Sequence, residues 1–410
     1  MKKSVYLSAP GLICCAGHNA QELYESCLNG WQGGMVLREL PGVAAKFPTG
    51  RISGELPEPA SPTEPSSPTE PASPTEPLAY AGGTRIIRII DAALEQIRPA
   101  VEQALSAYGP DKIGVCLGTC DNGSEASLLA HEAFLAQGAF PGDYRLRYQS
   151  ASYPAEYAAD KFGVSGPVFT VATACASGAS AIIRGAQMIR AGLCGAVIAG
   201  GADVVSQTVL AGFHSLEALS DELSNPFSKN RKGINLGEGA AFFLLESLDP
   251  AGHSAVELLG AGESADAYHI TAPGTDGAGP AKAMQAALLD AGLRPEQIGY
   301  VNLHGTGTAL NDKAESLAME TVFGADIPPA SSTKPITGHT LGAAGALEAA
   351  ICRMALTEKK GLPVHCWDGV RDGEISLLPC GPNRQAPSIV MSNSFAFGGC
   401  NVSLILGRRQ

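Results

Sequence analysis

One thiol, two imidazoles and one ammonium group stand apart in this chain, because each sits where a strand gives way to a turn of small residues. In Val171-Ala172-Thr173-Ala174-Cys175-Ala176-Ser177-Gly178-Ala179-Ser180 a buried strand runs through a tight turn into a helix, with Cys175 at the joint. The free N–H groups at the start of that helix, with its dipole, favour thiolate over thiol and would make Cys175 a nucleophile. The alternative is a packed core cysteine, since free Cys is among the most buried residue types. Val301-Asn302-Leu303-His304-Gly305-Thr306-Gly307-Thr308 puts His304 at a strand end beside two hydroxyls, with Asp312 and Glu315 close behind. Ser332-Thr333-Lys334-Pro335-Ile336-Thr337-Gly338-His339 sets Lys334 shortly before a second imidazole, and Phe395-Ala396-Phe397-Gly398-Gly399-Cys400-Asn401 is a glycine turn between aromatics. Taken singly, a histidine at a strand end reads more readily as a structural residue, and Gly-Gly turns are commonplace.

The elements that must position these groups alternate short apolar strands with Ala-rich helices, the pattern of α/β layers. Two stretches look alike. Strand 168–173, the turn at Cys175, a helix over 179–191 and strand 196–202 are echoed by 331–334, the turn Gly338 to Gly345, a helix over 346–356 and strand 388–392. Such a duplication predicts two α/β halves, residues 1–250 and 251–410, with the linker near Asp249-Pro250-Ala251-Gly252. It would bring Cys175 and His339 to matching helix starts on one cleft. Within the first half, residues 57–77 hold three copies of a six-residue unit that ends in Ser-Pro-Thr-Glu-Pro, 60–65, 66–71 and 72–77. Proline at every third place enforces extended backbone, and without apolar anchors the segment is expected to be a solvated, semi-stiff surface insert.

Composition narrows the function classes. The chain has 410 residues, of which 45% are hydrophobic, and 49 glycines, enough for a large core in two units. Its net charge of −12 argues against nucleic acid, whose phosphates demand concentrated Lys and Arg. Apolar runs stop well short of a membrane span. No secretory signal opens the sequence, and 11 scattered cysteines fit reduced thiols, so a cytoplasmic address is expected, with neither a disulfide framework nor a zinc site.

In order and spacing, the four segments resemble the elongating β-ketoacyl-acyl carrier protein synthases of the thiolase-like superfamily, over nearly the whole chain. Thr173 to Gly178 matches the family's T-A-C-x-S-G, His304 to Thr308 its H-G-T-x-T, Lys334 to Gly345 its K-x-x-x-G-H-x-x-G-A-A-G and Phe397 to Asn401 its F-G-G-T-N. Gly237-Glu238-Gly239-Ala240 and Asp266-Ala267-Tyr268-His269 are family-like too. The resemblance implies an α/β thiolase-like fold with a layered α-β-α-β-α core, and an acyltransferase that joins a carrier-bound acyl chain to malonyl by decarboxylative Claisen condensation. Cys175 would hold the acyl group, and its own N–H with that of Phe397 would form the oxyanion hole. His304 and His339, as neutral imidazoles, would donate to the malonyl thioester carbonyl. Lys334, with Glu315, would fix their orientation and charge, and Asp312 would support them. Phe397 would gate the site on Gly398 and Gly399, while Thr306, Thr308 and Thr271 would line the substrate channel. The resemblance implies no cofactor beyond the carrier's phosphopantetheine, acyl carrier protein as a partner, and a homodimer or a heterodimer with a related ketosynthase-like subunit. It also implies an optional structural cation at Asn302, Glu315, Glu348 and the Ser392 carbonyl, although Glu348 could equally be satisfied by lysine or backbone donors.

Three departures qualify the resemblance. The acidic insert and Ser220-Asp221-Glu222 stand where the family carries basic carrier-docking residues, leaving Lys229, Arg231, Lys232, Arg145 and Arg147 as candidates. Asp121 is polar where the family lines its acyl pocket with small or aliphatic residues; the alternative is a cap on the following helix. Cys400 replaces a threonine in the Gly-Gly turn. These features are similar to ketosynthases of specialised bacterial pathways, aryl polyene clusters in particular. Two other readings remain, a non-catalytic chain-length partner, which would have lost the nucleophile, and a thiolase-type acyl-coenzyme A enzyme.

Overall fold

Two glycine-flanked helices cross at the centre of the molecule, and everything else is arranged around them. The computed structural model describes residues 3–57, 83–120, 123–142, 144–247, 256–377, 379 and 386–408. The repeats of the Pro-rich insert, the linker at Asp249–Gly252 and Asp121 lie outside the described residues. The strands are β1 (Tyr6–Leu7), β2 (Gly11–Cys14), β3 (Met35–Glu39), β4 (Lys46–Gly50), β5 (Ile113–Gly118), β6 (Val168–Val171), β7 (Ala196–Asp203), β8 (Gly239–Glu246), β9 (Val256–Ala265), β10 (Tyr300–Asn302), β11 (Ala330–Ser331), β12 (Ile389–Phe395) and β13 (Cys400–Arg408).

The topology repeats itself. β6, β5 and β7 run parallel in that spatial order and β8 closes antiparallel on β7. In the second half β11, β10 and β12 run parallel and β13 closes antiparallel on β12. The crossover from β6 to β7 is the helix Ser177–Arg190, and that from β11 to β12 carries the helix Ala344–Glu358. Short β1 hydrogen-bonds both β8 and β9, so the two half-sheets are continuous as one eleven-stranded sheet.

Burial explains the layering. Successive residues of a strand face opposite ways, and in β8 Ala241, Phe243 and Leu245 join the central core while Ala240, Phe242 and Leu244 join an outer one. The central core is filled by the two crossover helices, which touch strands of both half-sheets. Helices Arg85–Tyr108 and Tyr153–Phe162 cover the outer face of the first half, and helices Ala278–Ala291 and Ala309–Phe323 serve the second. The result is the expected α-β-α-β-α arrangement.

The crossing itself depends on missing side chains. A Cβ at Gly178 would lie 2.8 Å from the Gly342 carbonyl oxygen and 3.0 Å from the Ala346 nitrogen, and one at Gly345 would lie 2.8 Å from Ala179 Cβ. Glycine at both places lets the helix starts approach to backbone contact. Asp203, at the end of β7, fastens the approach by accepting N–H bonds from Gly342 and Cys120 and a hydroxyl bond from Thr119.

Candidate active site

Cys175 is delivered by a strained turn. Ala174 has φ of 48°, a left-handed conformation that a side chain disfavours by ~1–2 kcal/mol. Ser177 compensates, its hydroxyl accepting from Thr173 N at 2.9 Å and donating to the Ala174 carbonyl at 2.6 Å. The N–H groups of Phe397 and of Cys175 itself lie against the sulphur, beside the place where the carbonyl oxygen of an acyl group on it would gain charge. They do not make it a resting thiolate. Burial pushes the thiol up to about 12, against the opposing pull of Lys334 and the Phe397 N–H, so desolvation outweighs the helix start expected to lower it.

Both imidazoles meet the thiol in one cleft. His339 Nε2 lies 3.0 Å from Cys175 Sγ. The His304 ring stands edge-on to His339 at 5.4 Å between centroids and 85° between planes. Burial, and after it the charge of Lys334, holds both histidines well below the ordinary imidazole pKa, so both are neutral near pH 7.

Lys334 is buried, but its partner differs from the one expected. It forms an ion pair with Glu348. Glu315 instead accepts the backbone N–H groups of His304 at 2.8 Å and Gly305 at 2.7 Å, clamping the turn that carries the first histidine. Burial pushes both carboxyls up to about 7. Asp312 supports the same turn, accepting from Gly307 N at 3.1 Å and from Phe227 N at 2.8 Å.

Around these groups is a cleft of about 220 Å³ lined by Cys175, His304, His339, Thr306, Thr308, Thr271 and Phe397, among others. The three threonines line one cleft with the thiol, and Thr306 and Thr308 hydroxyls lie 3.1 Å apart. Phe397 stacks on Phe213 at 5.8 Å. Its loop is tied across the cleft by Gly398 N donating to the Ile270 carbonyl at 2.7 Å and Asp266 N to the Gly399 carbonyl at 2.9 Å. Phe213 is a lining residue that sequence reading passed over, for it stands in a helix with no motif around it.

Comparison with known proteins decides the family. The model described as "Beta-ketoacyl synthase, N-terminal domain" matches residues 83–251, and that described as "Beta-ketoacyl synthase, C-terminal domain" matches residues 255–365. The chain belongs to the β-ketoacyl synthase family. Among its relatives is 3-oxoacyl-[acyl-carrier-protein] synthase 2 of Vibrio cholerae, 37% identical over 72% of this chain and 76% of that protein. A chain of the complex between the ketosynthase ApeO and its chain length factor ApeC from Xenorhabdus doucetiae superposes with a TM-score of 0.89 at 37% identity, covering 99% of this chain and 98% of its own. The ishigamide ketosynthase/chain length factor gives a TM-score of 0.85 at 29% identity, with 100% of each chain covered.

The basic candidates for docking are partly spent within the chain itself. Arg231 is nearly buried and paired with Asp372, and Lys232 pairs with Glu222 at 2.6 Å. Arg147 lies over the Tyr153 ring at 5.0 Å and 3.9 Å from Glu156, whereas Lys229 is exposed. The helix after the Asp121 segment begins at Ser124, with Gly123 as its N-cap. Cys400 is half-buried at the start of β13, its carbonyl accepting from Ala396 N at 2.8 Å. Among the described residues no helix is long and apolar enough to cross a membrane.

Proposed function

We propose that this chain is the condensing subunit of a system that elongates carrier-bound acyl chains by two carbons. The observation that carries the reading is the 3.0 Å contact between Cys175 Sγ and His339 Nε2, with His304 set against His339 in the same cleft. In the first half-reaction the Cys175 sulphur attacks the acyl thioester. The carbonyl oxygen gains charge facing the two N–H groups, and the thiol proton passes by way of His339 to the departing carrier sulphur. In the second, malonyl thioester enters; neutral imidazoles donating to its carbonyl steady the enolate left by loss of carbon dioxide. The enolate attacks the acyl-cysteine carbonyl, and the released Cys175 thiolate regains a proton from solvent. Burial, and after it the charge of Lys334 beside Glu348, keeps both imidazoles uncharged.

Retention of Cys175 disfavours a non-catalytic chain-length partner, and solved neighbours described as ketosynthase and chain length factor support pairing with a related subunit. Acyl carrier protein is the donor in this reading. The cytoplasm is the compartment in which the free thiols of the described chain would stay reduced. The expected cation site fits in part. Asn302 Oδ1 and Glu348 Oε2 are buried without a hydrogen-bond partner, whereas both Glu315 oxygens already accept N–H groups. A cation there would be held by Asn302, Glu348, the Ser392 carbonyl and remaining lone pairs of Glu315, and would offset the negative charge of the two buried carboxylates.

Intact mass spectrometry after exposure to a panel of acyl-carriers and acyl-coenzyme A thioesters tests this function. A carrier-derived adduct on the wild type that is absent from Cys175→Ala is expected. Adducts persisting in the variant, or transfer from coenzyme A alone, would overturn it.

A further inference from the structure

Behind the histidine-bearing turns lies a buried side chain that the condensation chemistry leaves unused. His365 sits in the loop after the helix Ala344–Glu358 and bridges two segments that are far apart in sequence. Its Nδ1 accepts the backbone N–H of Ser332 at 3.1 Å, and its Nε2 donates to the Pro226 carbonyl at 3.0 Å. An amide N–H can only donate and a carbonyl can only accept, so these partners fix one neutral tautomer, bare at Nδ1 and protonated at Nε2. Burial pushes the imidazole down to about 4, which keeps that tautomer uncharged.

Both ends of the bridge lead to the active site. The Ser332 hydroxyl donates to the Gly305 carbonyl at 2.7 Å, next to His304, and accepts from Lys334 N at 3.3 Å. On the other side Phe227, following Pro226, donates its N–H to Asp312 at 2.8 Å, and Asp312 holds Gly307 N at 3.1 Å. The links close a ring: His365, Ser332, Gly305, Gly307, Asp312, Phe227 and back through Pro226. There is no slack inside it, because a Cβ at Gly305 would lie 2.7 Å from Ser332 Cβ and 2.8 Å from the Phe227 ring.

We propose that His365 is a positioning residue for the decarboxylation step, setting through Ser332 the spacing between the turn that carries His304 and the segment from Lys334 to His339. It touches no substrate and acts only through those two turns. Cys175 belongs to the other half of the fold, on a turn braced by Ser177. His339, its proton partner, is held apart from the ring by its N–H on the Asn235 carbonyl at 2.7 Å and its carbonyl on the Gly237 N–H at 2.9 Å, so acylation depends on the ring far less than decarboxylation does. This inference rests on the condensing function proposed above.

The two bonds of His365 can be cut separately. Asn places an acceptor near Nδ1 and keeps the Ser332 link, whereas Gln places a donor near Nε2 and keeps the Pro226 link. His365→Gln is expected to lower kcat for malonyl-carrier decarboxylation about 10- to 100-fold, the scale of a displacement near 1 Å. KM should stay within about twofold and self-acylation of Cys175 within about threefold. His365→Asn should restore decarboxylation to within about threefold of wild type. Ser332→Ala, which deletes one buried hydroxyl, should reproduce the loss seen with Gln and carries the test where the Gln chain does not fold. Equal loss of acylation and decarboxylation, equal behaviour of Asn and Gln, or Ser332→Ala decarboxylating like the wild type would overturn the proposal. A wild type that neither self-acylates nor decarboxylates would overturn the condensing function instead.

Discussion

Replacing Gly178 with alanine should separate the two halves of the active site without touching a reactive group. The new Cβ would lie 2.8 Å from the Gly342 carbonyl oxygen and 3.0 Å from the Ala346 nitrogen, both backbone atoms of the facing half that cannot rotate away. Restoring an ordinary contact near ~3.5 Å requires the helix starts to part by about 0.7 Å. Cys175 and His339 ride on those helix starts, and their 3.0 Å contact would stretch to about 3.7 Å, a weaker bond that slows proton transfer. Overpacking of this kind costs ~1–3 kcal/mol of stability, and misplacement on this scale costs ~10- to 100-fold in rate. Single-turnover acylation of Cys175, followed by intact mass, reads the rate, and thermal denaturation reads the stability. Gly212→Ala is the control, since nothing lies within 4 Å of the added carbon. Acylation by Gly178→Ala within twofold of wild type would refute the idea that the glycine crossing sets the catalytic distance.

Further perturbations address the charges. Lys334→Met should destabilise the chain by ~3–5 kcal/mol because it strands the buried Glu348, while adding Glu348→Leu should recover most of that loss; denaturant midpoints of the two variants decide. His339→Ala should abolish malonyl decarboxylation while self-acylation survives in part, as carbon dioxide release and adduct mass would show; equal loss of both removes the division of labour. With the Cys175 thiol pushed up to about 12, alkylation by iodoacetamide should rise about tenfold per pH unit between pH 7 and 10, and a plateau by pH 8 would contradict it. Glu315 has a folded pKa raised to about 7 from 4.5, so the folded state binds its proton more tightly and its contribution to stability falls as pH rises from 4.5 through 7. Relative to Glu315→Gln, the wild type should therefore be more stable at pH 5 than at pH 8 by roughly 3 kcal/mol, read from denaturant midpoints.

Local patterns carried the fold and the reactive groups. The strand, small-residue turn and helix around Cys175 and around His339 were readable because strand and helix periodicity and turn chemistry are encoded within a dozen residues. Their repetition gave the duplicated topology, and the motifs gave the family. What the sequence left open were balances and pairings made across the fold. Glu348, not Glu315, neutralises Lys334, because the glycine-rich turn at His339 folds the following helix back over the lysine. The Cys175 thiol is raised, since desolvation depends on the packing of both halves around it and a helix start can be seen without them. Phe213 and His365 lie in segments without a motif, and only their contacts with Phe397 and Ser332 reveal them.

The central claim is that Cys175, His304 and His339 form one site serving both half-reactions. Preparing the acyl-Cys175 enzyme and mixing it with malonyl-carrier in a single turnover tests it most directly. Loss of the Cys175 adduct should match, mole for mole, the release of carbon dioxide and the appearance of a carrier-bound β-ketoacyl product two carbons longer. Release of the acyl group as free acid, or carbon dioxide without the extended product, would contradict the account.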